Sequence, residues 1–511
     1  MSAPADTRRP SGSKWFRLRG SATTVLVAMM FAWVGLMLVW ALVLPMGGAL
    51  AEANTLDAVF RLALGGGWPT DGQHHALSAT RWILSEGYAT PASTHSSVAE
   101  LLRAHPGQAP DVVTASQNPA AGYWVNALAL RVSGWASLRW DEAVLLLRII
   151  NVVLLAPLPA LVFATARRFS LSPLTAAIAP VLLFAVPQLA QTGGTANMLA
   201  LPTLLSAVAV WLGVRMWTGD RSWWTSAGLA VVAALAAVVS TSGLLVPVFA
   251  LLCVGIAAGR DARRRALDAG LVLVFGGVAV VSALQQYLGT VHRVVAGTAD
   301  VSTALPLEYT FGNVIDAQWG GLSSLFWGGF GRNAAALTPP LIAFLTVGSL
   351  AIICWALLRR ERALTRAWPL LLWAALVIGA ALLTGVVAAR SAHSVLAGDG
   401  RQVNLAVTAL VIVVVLAARA ITTTAERRQR VAVVALVGAP LIAAYGLSVA
   451  YQSAYEASHF AVSKAGLATL SAVTPLGYAG IAAAVLLWGT ATVIGVALGV
   501  RATRHRFDQQ S

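Results

Sequence analysis

Three polar stretches in an otherwise apolar chain hold residue types suited to acid–base and phosphate chemistry. The first, GGGWPTDGQHHALSATRWILSEGY over residues 65–88, places Gly65 to Gly67 and Pro69 ahead of Asp71. The run from Gln73 to Glu86 has a helix-compatible composition, which puts Asp71 near a helix amino end. Asp71 then reads either as a helix cap or as a carboxylate general base, with His74 one helical turn on and sharing its face. A metal pair at His74-His75 is disfavoured, because adjacent helical residues diverge by about 100° while paired zinc ligands sit at i and i+4. No cofactor is therefore expected, and a divalent metal has no support. The other two stretches, SLFWGGFGRNAAALTPP from Ser324 and AGDGRQVNLAVTAL from Ala397, supply Arg332, Asp399 and Arg401. A guanidinium fork can engage two phosphate oxygens at once; the plain alternative is an arginine that anchors a helix end by snorkelling. Asp399, between Gly398 and Gly400, reads as a turn residue or as the partner of Arg401.

These residues need a scaffold, and composition says what kind. Of 511 residues, 58% are hydrophobic and only 11% charged, against roughly 45–50% apolar and 25% charged in soluble domains. Apolar runs of about 20 residues recur along the chain, the length a helix needs to cross a hydrocarbon core of roughly 30 Å. The formal charge of +15 is gathered in short clusters between those runs, including Arg167-Arg168, Arg263 to Arg265, Arg359-Arg360 and Arg427-Arg428. That is a topology signal; a nucleic-acid protein would carry a continuous basic face interleaved with aromatics. Cys253 and Cys354 both lie in apolar runs, so neither a disulfide framework nor a cysteine metal site follows.

With the arginine clusters inside, the expected fold is all-α and polytopic with about 12 transmembrane helices. The spans lie near 22–44, 142–166, 173–190, 197–217, 223–240, 243–258, 267–287, 337–358, 367–389, 403–418, 431–451 and 476–499. A basic cytoplasmic tail (1–20) precedes the membrane domain (21–500), a short tail (501–511) follows, and both termini are cytoplasmic. The first span reads as uncleaved, being too long for a cleavable signal. The extracytoplasmic side, with its two large loops 46–141 and 288–336, collects seven of the eight histidines and 13 of the 20 acids, which points to chemistry or ligand binding on that face. The segment Pro119–Gly134 is too short to cross and carries Asn126 and Arg131; Tyr123, Trp124 and Trp135 suit a helix lying flat in the headgroup zone. Arg148, inside the second span, needs a protein partner, and Asp141-Glu142 are the nearest candidates. His95, His105, His292, His393 and His459 are scattered and read as solvated surface. No phosphate-binding Gly-x-x-x-x-Gly-Lys loop is present.

Several of these motifs resemble those of bacterial multi-spanning membrane proteins of unknown function whose topology is similar to GT-C glycosyltransferases. Asp71-Gly72-Gln73-His74 matches the Asp and the His of an Asp-Glu-then-His element, with Gly72 where the second acid stands. QNPAAGYWVNALAL from Gln117 is similar to a Pro-Pro-Leu-Tyr-Tyr helix beside the active site and brings in Asn118 and Tyr123. PVLLFAVPQLAQTGGTAN, ending at Asn197, resembles a span closing on an Asn-containing outer turn. The Ser324 and Ala397 stretches are similar to a Phe-Trp-Gly-x-Phe-Gly element and a Gln-Gly-Arg-Tyr span entry. Order and spacing agree over roughly residues 60–420.

The resemblance implies a GT-C-like enzyme. It would move a sugar from a polyprenyl-phosphate donor to a cell-envelope glycan acceptor, among membrane lipids and away from nucleic acid. Asp71 would be the base with His74 beside it, Arg332 or Arg401 would hold the donor phosphate, and Asn118, Tyr123 and Asp399 would line the site. Two other classes fit the same topology: a transporter or flippase of a lipid-linked precursor, which would show matched halves and interrupted helices, and a non-catalytic membrane partner, which Gly72 favours.

Overall fold

The computed structural model describes residues 12–50, 52–68, 74–113, 119–295, 311–330, 335–360, 362–392, 400–458 and 461–507. Asp71, Asn118, Arg332 and Asp399 lie outside them, and His74 is described in its backbone only.

Apolar runs become helices because a backbone in hydrocarbon must satisfy its own N–H and C=O groups. The chain opens with α1 (Gly12–Val43), followed across a tight turn by the short amphipathic α2 (Glu52–Ala63). The first loop then folds on itself. Strand β1 (His74–Leu77) leads into α3 (Ser78–Ser85) and, after two 3-10 turns, α4 (Val98–Ala104). Strand β2 (Gln108–Val113) pairs antiparallel with β1, and α5 (Ala120–Val132) returns the chain to the bundle. His74 is thus in a strand, not on a helix, so the expected shared helical face of Asp71 and His74 does not exist. The pairing that decides this comes from residues 108–113, out of reach of any local pattern.

The bundle proper contains α6 (Trp140–Leu155) and α7 (Leu158–Arg168), then α8 (Pro173–Ile178) continuing as a 3-10 turn to Ala185, and α9 (Pro187–Gly194). Next come α10 (Ala200–Trp217), α11 (Trp223–Val239), α12 (Leu245–Gly255), α13 (Ala262–Val295) and α14 (Phe311–Trp327). Gly329-Phe330 pairs with Ala335-Ala336 in a short ladder before α15 (Pro339–Leu358), α16 (Arg362–Arg366) and α17 (Trp368–Ala392). A 3-10 turn over Gly400–Ala406 leads into α18 (Val407–Ile421), and α19 (Ala425–Tyr455), α20 (Lys464–Val473) and α21 (Gly477–Phe507) finish the chain.

Among the described residues, nine helical segments are long and apolar enough to cross a membrane. A tenth, Pro173–Ala185 with Pro187–Gly194, is bent by 79°, and α11 with the Ser242–Gly255 segment is shorter. Each of the 12 expected spans therefore meets a helical segment, but the third is broken. Pro187 explains the break: it lacks an N–H and its ring clashes with the preceding turn. The widest helix pairing is between α1 and α21. Gly35 sits where an added Cβ would come within 2.7 Å of the Trp488 backbone, and Gly495 abuts Met29, so glycines let the first and last helices approach.

Candidate functional site

The first loop is held to the bundle by a buried ion pair. Arg148 of α6 donates Nε to Glu52 Oε1 at 2.8 Å and Nη2 to Glu52 Oε2 at 2.9 Å. Its remaining donors reach the carbonyls of Ala41 and Leu44 at 2.7 Å and of Pro45 at 2.9 Å, where α1 ends without intrahelical acceptance. Glu52 Oε1 also accepts the Ala196 N–H at 3.0 Å. Both side chains are essentially fully buried. Arg148 therefore pairs with Glu52, and not with Asp141-Glu142 as chain proximity suggests. The knot joins the end of α1, the start of α2, α6 and the turn after α9.

Asp141 is engaged elsewhere. Arg139 grips it through Nε and Nη2 at 3.1 and 2.9 Å, and His95 Nδ1 stands 3.1 Å from its Oδ2. The His95 ring packs on Trp140 with centroids 4.1 Å apart and is 9% exposed, so this histidine is an interior group and not solvated surface. His105 is half-buried and stacks on Trp82 at 5.0 Å.

Helix α5 bears out only part of its aromatic reading. At 13 residues it is too short to cross. Trp124, Val125, Leu128 and Val132 form its exposed apolar stripe, while Tyr123 and Trp135 turn inward, Tyr123 onto Trp68 at 4.8 Å and Trp135 onto Phe60 at 5.5 Å. Arg131 closes the carboxyl end of α2, donating Nε to Ala63 O at 3.0 Å and Nη2 to Leu62 O at 2.7 Å, and lies 5.2 Å over the Trp124 ring. Gly122 permits the docking of α5, since a Cβ there would meet the Val239 carbonyl at 2.7 Å.

Two contacts hold the described parts of the first loop together. His74 and Val113 are paired at one end of the β1–β2 ladder. Trp68 and Tyr123, the next described aromatics outward, stack. Four other acids of the loop have structural tasks: Glu52 as above, Asp57 accepting the Leu77 N–H at 2.7 Å, Glu86 accepting Trp82 Nε1 at 3.1 Å, and Glu100 closing a capping box with Ser97.

Arg401 docks on the other end of α2, at the connection from α1. Its Nη1 donates to the Leu50 carbonyl at 2.8 Å, tying the 3-10 turn before α18 to the α1–α2 connection. The bundle also holds a layer of buried neutral polar groups, of which sequence reasoning picked out only Asn197. Asn151 donates to the Thr195 and Asn197 carbonyls at 2.6 and 3.1 Å, and Asn197 donates to Thr192 O at 2.6 Å while accepting Leu199 N–H at 2.8 Å. Two glutamines inside an apolar run were the available signal, since intramembrane polar residues are costly. Among the described residues, no cluster of His, Cys, Asp and Glu is arranged to hold a metal ion.

Fold and composition define a multi-pass α-helical membrane protein. No protein-family model and no curated protein match the sequence. Two solved structures resemble the chain. The crystal structure of ArnT from Cupriavidus metallidurans in the apo state is 13% identical, with 97% of this chain and 78% of that one covered and a TM-score of 0.46. The structure of the same protein bound to undecaprenyl phosphate is 14% identical, with 97% and 79% covered and a TM-score of 0.43.

Proposed function

We propose that the chain is a GT-C-like glycosyltransferase of the cytoplasmic membrane, its termini inside. It transfers a sugar from a polyprenyl-phosphate donor to a cell-envelope glycan acceptor on the outer face. The observation that supports this reading is a first loop folded as a unit against the multi-pass bundle, with Trp68 stacked on Tyr123, His74 paired opposite Val113 and Glu52 locked to Arg148. In the reaction, Asp71 takes the proton of the acceptor hydroxyl. The acceptor oxygen bonds to the anomeric carbon, and the bond from that carbon to the phosphate oxygen breaks with its electron pair. Because the leaving group departs as phosphate, the protein's second task is to stabilise charge there, which suits Arg332 and Arg401. His74 orients Asp71 or the acceptor, and Asn118, Tyr123 and Asp399 line the donor side.

The test is transfer of a labelled sugar by the purified protein in liposomes containing polyprenyl-phosphate sugar. Asp71→Asn should lower the rate about 10²-fold or more while lipid binding persists. Normal transfer by that variant removes Asp71 from the reaction. The bent Pro173–Gly194 segment favours a second reading, a carrier or flippase of a lipid-linked precursor, since such proteins use interrupted helices. Movement of labelled lipid between leaflets without any transfer would establish it instead.

A further inference from the structure

Helix α9 is buried along its entire length, yet one side is polar. Gln188, Gln191, Thr192 and Thr195 recur at the i, i+3, i+4 and i+7 spacing of a single helix face and are 2–3% exposed. The two threonines satisfy themselves on backbone carbonyls one turn earlier, at 2.9 Å each. The glutamines do not. Gln188 Oε1 and both polar atoms of the Gln191 amide have no hydrogen-bond partner among the described residues. Across from them, Asn404 of the 3-10 turn is fully buried, brings Nδ2 within 3.5 Å of Thr192 Oγ1, and leaves Oδ1 unpartnered. Protein interiors leave few such groups unpaired, so four orphaned atoms on two facing elements call for a guest.

The orphans specify the chemistry of that guest. Three are carbonyl oxygens, which need donors, and one is an amide nitrogen, which needs an acceptor. A phosphate oxyanion offers no donor and a carboxylate none either; an ammonium offers no acceptor. A hydroxyl offers both. Among the described residues beside the orphaned amides, Glu52 and Arg148 are spent on each other and so offer no charge to a charged sugar. Position adds the last constraint. Side chains three apart on a 3-10 helix lie on one face, about 6 Å apart at about 2.0 Å rise per residue. Asn404 is three residues beyond Arg401.

We infer that Gln188, Gln191 and Asn404 form a binding site for an uncharged, hydroxyl-bearing glycosyl unit. Resting on the proposed transferase reading, this makes the donor a neutral sugar and not an amino sugar or a uronic acid. The site selects the glycosyl unit while Arg401 attends to the phosphate.

The experiment measures binding of four probes to the full-length protein in nanodiscs: polyprenyl-phosphate glucose, its glucosamine and glucuronate counterparts, and the bare polyprenyl phosphate. The glucose lipid should bind about tenfold more tightly than the bare lipid, the scale of one or two neutral hydrogen bonds, and the charged sugars should not share the gain. Gln191→Leu and Asn404→Leu should each erase the gain and leave the bare lipid bound as before. Gln191→Asn, a gentler change, serves if a leucine variant does not fold, and should reduce the gain. If the gain survives Gln191→Leu or Gln191→Asn unchanged, or if glucosamine or glucuronate binds as well as glucose, the orphaned amides hold only water and the inference falls. The transferase reading then stands whenever labelled sugar is still transferred. Failure of all four lipids to bind overturns both.

Discussion

Glu52 and Arg148, separated by 96 positions in the chain, meet through two parallel hydrogen bonds of 2.8 and 2.9 Å with neither side chain open to solvent. Around them every remaining guanidinium donor finds a carbonyl at the end of α1, so the charge is never unpaired. Breaking such a pair from one side leaves a naked charge in an apolar interior, at a cost of about 3–5 kcal/mol. Glu52→Gln and Arg148→Met should each lower the unfolding temperature in detergent steeply. The double variant should recover part of the loss. Single variants as stable as the parent would show that the pair does not hold the first loop.

Arg332→Lys and Arg401→Lys address the donor phosphate. An ammonium is a point charge that cannot reproduce two parallel N–H bonds, so retained charge should not retain function. Affinity for bare polyprenyl phosphate should fall by about tenfold for the arginine that engages it, on the scale of one charge-assisted hydrogen bond. Parent-like affinity in both lysine and alanine variants would remove that residue from the phosphate.

Sidedness is checked by labelling single cysteines from outside intact cells. Positions at Gln108 and Gly297 should react with an impermeant reagent, and positions at Arg264 and Arg428 should not. Reaction at Arg264 would invert the orientation drawn from the arginine clusters.

The capping box at α4 gives a pH dependence with a definite sign. Hydrogen bonds from the Ser97 backbone and hydroxyl hold the Glu100 carboxyl below its ordinary value of about 4.5. A depressed carboxyl stabilises the folded state above the unfolded value and loses that contribution as pH falls through the folded one. Amide exchange over Val98–Ala104, corrected for intrinsic rates, should therefore accelerate below pH 4.5 and not between pH 5 and 8. Ser97→Ala should show fast exchange across the whole range; unchanged protection in that variant would mean that the box does not hold the helix.

The spans were legible because hydrocarbon enforces length and apolarity locally, residue by residue. What required the fold was pairing at a distance. Arg148 announced that it needed a partner, but Glu52 sits on a short amphipathic helix with no motif around it, and only tertiary packing joins them. His74 lay in a helix-compatible run, and a strand more than 30 residues downstream claimed it. His95 looked like any loop histidine until Asp141 and Trp140 enclosed it. Tyr123 and Trp124 are neighbours of similar character, yet their places on α5 send one inward and the other out. Of the expected site, Arg401 and Tyr123 have described surroundings, Arg401 on the Leu50 carbonyl and Tyr123 against Trp68.

The seam between α1 and α21 has a consequence for biosynthesis. The glycine notches at Gly35 and Gly495 fit surfaces that lie far apart in the chain. Helix α1 must wait in the bilayer with that face uncovered until α21 has been made. A premature stop before Gly477 would therefore remove the lid of α1 as well as α21 itself, exposing α1 to membrane quality control. Truncations that cut into α21 should be tolerated only until they reach Trp488.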